Sequence, residues 1–71
     1  MRYEVNTYRS TDKAIRATAL RSRNASIRGD CSQFEVRQLG EEGFAGGPTG
    51  EMAKRFPTAR IVRQYSGGYS V

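Results

Sequence analysis

Apolar and polar positions alternate at the start of this chain, then recur at helical spacing, then alternate again. From Arg2 to Tyr8 the pattern sets Tyr3, Val5 and Thr7 on one side and Arg2, Glu4, Asn6 and Tyr8 on the other, the signature of a half-buried strand. Ser10, Thr11 and Asp12 offer three side chains able to cap a helix, and the stretch behind them is rich in Ala, Arg and Leu, so a helix is predicted over about residues 11–24. Gln33 to Leu39 reads as a second strand, with Phe34, Val36 and Gln38 opposing Glu35, Arg37 and Leu39, and Gly40-Glu41-Glu42-Gly43 ends it in a turn. Five of the eight glycines fall within residues 40–50, which are expected to form a flexible connecting loop. Pro48-Thr49 then introduces a short helix, Gly50 to Phe56, stopped by Pro57. Ala59 to Tyr65 is a third strand, Ser66-Gly67-Gly68 a turn, and Tyr69-Ser70-Val71 either a tail or a short antiparallel partner.

These elements make an α+β domain spanning residues 1–71: a three- or four-stranded antiparallel or mixed sheet with one main helix across it and a second short helix. With 71 residues and 18 Met, Val, Ile, Leu, Phe and Tyr side chains, the core is small and its stability marginal. Homodimerisation, or ordering on a partner, is therefore expected. No run approaches the roughly 20 apolar residues of a membrane span, and Met1-Arg2-Tyr3-Glu4 does not open a signal peptide, so no membrane partner and a cytoplasmic location are expected.

The chemistry on offer is sparse. Cys31 has no second cysteine with which to form an internal disulfide, and there is no His, so neither a zinc site nor any other metal or cofactor is expected. The missing His also removes the commonest general base and the usual partner of a Ser or Cys nucleophile. Glu41 and Glu42 are adjacent in a turn, where two carboxylates are ordinarily solvated charges, and no catalytic residue is assigned. A Walker-type loop would need Gly-Lys-Ser/Thr, whereas Gly50 is followed by Glu51 and Met52, so the glycine-rich stretch is not read as a nucleotide cradle. The chain is expected to be a binding protein and not an enzyme.

Charge changes the picture most. Residues 9–29 carry Arg9, Lys13, Arg16, Arg21, Arg23 and Arg28 against Asp12 alone, a local +5 that equals the net charge of the whole chain. On a helical wheel Lys13, Arg16 and Arg23 gather on one side with Arg9 near them and Arg21 at the edge. Ala14, Ile15, Thr18, Ala19, Ser22 and Ala25 lie opposite, small side chains that let a helix approach a sheet closely. Leu20 falls among the cations: either the helix is shorter or rotated relative to this placement, or Leu20 is an exposed apolar anchor inside a basic patch. Phe44, a large ring amid glycines, is a second candidate anchor. Such a patch attracts phosphate or acidic protein, and ten Arg to two Lys favours planar, bidentate contacts. Tyr8, Tyr65 and Tyr69 are the candidate outward rings for stacking on unpaired bases.

A strand followed by a capped helix resembles the start of a ribbon-helix-helix repressor, with Arg2, Glu4 and Asn6 as the strand side chains; the chain departs from that family where Asp30 to Leu39 reads as strand and not as a second helix. Across Tyr3-Glu4-Val5, Ser10 to Ala25 and Phe34-Glu35-Val36, about half the chain, the order of strand, Ala/Arg helix and strand resembles small phage-encoded inhibitors of the anti-CRISPR type. That resemblance implies a compact domain without catalytic motifs that binds host nucleoprotein machinery, working in the host cytoplasm. The expected function is thus a non-catalytic module that docks a basic helix face on DNA, RNA or an acidic protein surface. The alternative is a phage-type inhibitor that blocks a host protein complex.

Overall fold

A computed structural model of the chain describes residues 4–41 and 43–71. It contains, in order, β1 (Asn6–Tyr8), α1 (Thr11–Ile27), β2 (Phe34–Leu39), β3 (Gly43–Pro48), α2 (Thr49–Arg55), β4 (Arg60–Ser66) and β5 (Tyr69–Ser70). The fold is α+β, and its single sheet has five strands in the order β1-β3-β2-β4-β5, every neighbouring pair antiparallel. The strand count exceeds the expected three or four by the glycine-rich segment.

That segment is the principal correction. Residues 43–48 form no flexible loop: they are β3, paired on one side with all of β2 and on the other with β1. Two of its glycines, Gly46 and Gly47, are there because other chain comes too close for a side chain. A Cβ at Gly46 would overlap the Thr18 hydroxyl of α1, and one at Gly47 would sit 3.0 Å from Val5 Cγ2. Strand propensity carries no trace of this, since glycine is depleted in strands generally and marks close backbone approach where it occurs.

β1 and β2 run in the same direction with β3 between them, joined by α1; β3 and β4 likewise flank β2 and are joined by α2. Such crossovers are right-handed. Because the second starts from a strand of opposite direction, the rule sends the two helices to opposite faces. The side chains agree with this. Phe34, Val36 and Tyr65 form the core with Ala14 and Ala25 of α1, and Tyr8, Ile15, Ala19, Phe44 and Val62 pack against it. On the other face, Arg37 lies level with buried Ala45 and reaches the Phe56 carbonyl at the end of α2, whose Met52 is also buried.

Helix α1 runs three residues beyond its predicted end. Gly29, at φ 87°, closes it: its N–H donates to the Ser26 carbonyl at 3.0 Å and that of Asp30 to the Ala25 carbonyl at 2.8 Å, the paired bonds of a Schellman motif. At its far end α1 is tied to the β4–β5 turn. Gly67 and Gly68, both at positive φ, make the two-residue hairpin, and the Gly68 N–H donates to Ser22 Oγ at 3.0 Å. Residues 69–70 therefore fold back on β4 and are not a tail.

The first strand is shorter than expected and faces the other way. Arg2 and Tyr3, together with Glu42 of the turn, lie outside the described residues, and of the expected strand only Asn6–Tyr8 pairs. Tyr8, level with Phe44, packs on the core, while Thr7 is exposed. Pairing with β3 decides that orientation, because a slip of one residue turns every side chain over.

Candidate functional site

The solvent face of α1 is built by subtraction. Ala14, Thr18, Ser22 and Ala25 are buried against the sheet, so the positions about half a turn away must project outward. These are Lys13, Arg16, Leu20, Arg23 and Ile27, all exposed. Leu20 retains 54% of its surface and Ile27 72%, which leaves two aliphatic side chains seven residues apart on one stripe with three cations. Among the described residues, Arg9, Lys13, Arg16 and Arg23 are held by no ion pair, whereas Arg37 pairs with Glu35 on the sheet.

β4 extends this surface. Arg23 lies against Gly68 of the β4–β5 hairpin, so the flank of α1 that carries it borders the β4 side of the sheet. Arg63 sits level with Val36 on the α1 side of the sheet and Arg60 level with Gln38, both exposed and unpaired among the described residues. The Arg63 guanidinium is close enough to act on the Tyr65 phenol. Burial pushes the Tyr65 hydroxyl above its ordinary 10.0, and Arg63 partly opposes the shift. Net charge by segment hid these two arginines, because outside residues 9–29 cations and carboxylates balance in number. The legible signal was the period-two spacing of Arg63 and Tyr65.

Other assigned residues have different duties. Arg21 is half-buried and donates to the Gly46 carbonyl at 3.1 Å and to the Glu4 carbonyl, with its guanidinium 5.6 Å from the centre of the Phe34 ring. It clamps β3 and the segment before β1 to the helix and is not a free member of the patch. Arg28 is exposed just past the helix end and is engaged within the fold. Phe44 is half-buried and packs on the core. Tyr8 is half-buried and packs there too, Tyr65 is 4% exposed and so has no ring face free for stacking, and Tyr69, at 79%, keeps its ring outward.

Among the described residues no group of His, Cys, Asp or Glu is placed to hold a metal ion, and no helix is long and apolar enough to cross a membrane. No family model, curated protein or solved structure matches this chain.

Proposed function

We propose that this protein is a non-catalytic binding module that docks the exposed face of α1, extended by β4, on the phosphates of DNA or RNA, free or within a host nucleoprotein complex. The observation that carries the reading is that, among the described residues, Lys13, Arg16 and Arg23 of α1 and Arg60 and Arg63 of β4, level with Gln38 and Val36, are all exposed and in no ion pair. A patch of one sign with no internal partner gains little for the fold and creates a field that draws phosphate. Affinity for nucleic acid should fall steeply with salt, with a slope near −0.9 per phosphate neutralised on duplex DNA. Reversing Arg16 and Arg23 to Glu should abolish binding with the circular dichroism spectrum unchanged. Binding that ignores salt and both reversals would sink the reading.

Leu20 and Ile27 favour a second reading, that of the phage-type inhibitor that grips a protein of a host complex. Exposed aliphatics flanked by arginines match the anchors of protein interfaces, where a few residues each contribute about 2 kcal/mol or more. Nuclease treatment separates the readings: a complex pulled from host lysate that survives nuclease and is lost in Leu20→Ala is held by protein contacts.

A further inference from the structure

Where β2 ends, α2 ends and β4 begins, the chain borders an open cleft of about 490 Å3 lined by Gln38, Leu39, Arg55, Phe56, Thr58 and Arg60, among others. That is the size of a small-ligand site. Its chemistry is divided. Leu39 and Phe56 are apolar members of the lining, whereas Arg55 and Arg60, from different elements, are cationic and Thr58 and Gln38 are polar. None of the residues lining it is acidic, and neither arginine has an ion pair among the described residues. One wall is held rigid: the Phe56 N–H donates to the Met52 carbonyl at 2.8 Å, while its carbonyl accepts from Arg37 Nη1 at 2.7 Å and from the Ala59 N–H at 3.2 Å.

We infer that this cleft takes one nucleotide unit, its phosphate bound by Arg55 and Arg60 and its base laid on the apolar wall at Phe56 and Leu39. Two exposed cationic groups close together favour an anion, and a small apolar wall beside them fits the flat face of a base. Arg60 belongs to both this cleft and the basic surface of α1 and β4, so a strand lying across that surface would run into the cleft. The inference rests on the proposed function for its choice of a nucleotide over other anions. The site does not include β3, the strand formed by residues 43–48.

The test is a titration with adenosine 5′-monophosphate followed by amide chemical shifts. Shifts should concentrate at Gly40, Thr58, Ala59 and Arg60. Arg55→Ala and Arg60→Ala should each weaken binding by about tenfold or more, the effect of losing a charge-assisted contact, and Arg55→Lys should recover part of it. Adenosine without phosphate and inorganic phosphate without a base should both bind at least about tenfold more weakly, for the same reason. Silent cleft amides, or inorganic phosphate matching the nucleotide, would overturn the inference. Arg16→Glu with Arg23→Glu should leave the mononucleotide shifts intact. A strand that still binds α1 while the cleft stays silent leaves the proposed function standing and removes this inference; a working cleft with α1 variants of undiminished affinity for strands does the reverse.

Discussion

Thr18 of α1 lies so close over Gly46 of β3 that a side chain on the glycine would overlap the threonine hydroxyl, and Thr18 Cβ is only 3.3 Å from where that carbon would sit. The same hydroxyl is buried without a hydrogen-bond partner among the described residues. Gly46→Ala should destabilise by about 1–3 kcal/mol through overpacking. Thr18→Val removes an unsatisfied buried oxygen at nearly constant shape and should stabilise by about 1 kcal/mol. Combined with Thr18→Ala, Gly46→Ala should lose much of its cost, a coupling readable by urea titration of the four proteins.

Glu35 and Arg37 form a buried ion pair two residues apart on one face of β2. Glu35 is fully buried and its Oε1 has no partner among the described residues, while Arg37 also holds the Phe56 carbonyl. Removing one partner strands the other charge, so Arg37→Ala should cost about 3–5 kcal/mol and leave so small a domain largely unfolded. Replacing both, Glu35→Leu with Arg37→Met, should give a more stable protein than either single variant. Thermal denaturation of the three variants checks the order.

Hydrogen exchange tests the identity of β3. Its amides lie inside the sheet between β1 and β2, so protection should run through Ala45, Gly46 and Gly47 at levels comparable with Val36. Exchange there as fast as at a loop tip would contradict the pairing.

Tyr65 sets an alkaline limit. Its folded-state pKa is raised, chiefly by burial, so the neutral phenol is favoured by folding; its contribution is fully present below the ordinary 10.0 and is lost as pH rises through the higher folded value. Tyr65→Phe should therefore flatten the loss of stability above that pH. Arg63→Gln should move the Tyr65 midpoint higher still, because it removes the charge that favours the phenolate. The difference in tyrosinate absorbance between the wild type and Tyr65→Phe follows that midpoint.

The main helix was legible in the sequence because its signals are local: the Ser10-Thr11-Asp12 start, the small-residue face and the displaced Leu20 each follow from 3.6-residue spacing alone. The two faces of β2 were legible for the same reason, Phe34 and Val36 turning to the core as their alternation requires. Gly29 had announced the true helix end, although the apolar pattern faded before it. Only tertiary structure decided that the glycine-rich stretch is a strand, since its identity depends on what α1 and the chain before β1 press against it. Pairing likewise turned Tyr8 inward, drew Arg21 into the fold, and brought Arg60 and Arg63 beside a helix more than thirty residues earlier in the chain. Local spacing governs which face of an element is apolar. Which charges remain unpaired, and which lie together, depends on packing between elements far apart in sequence.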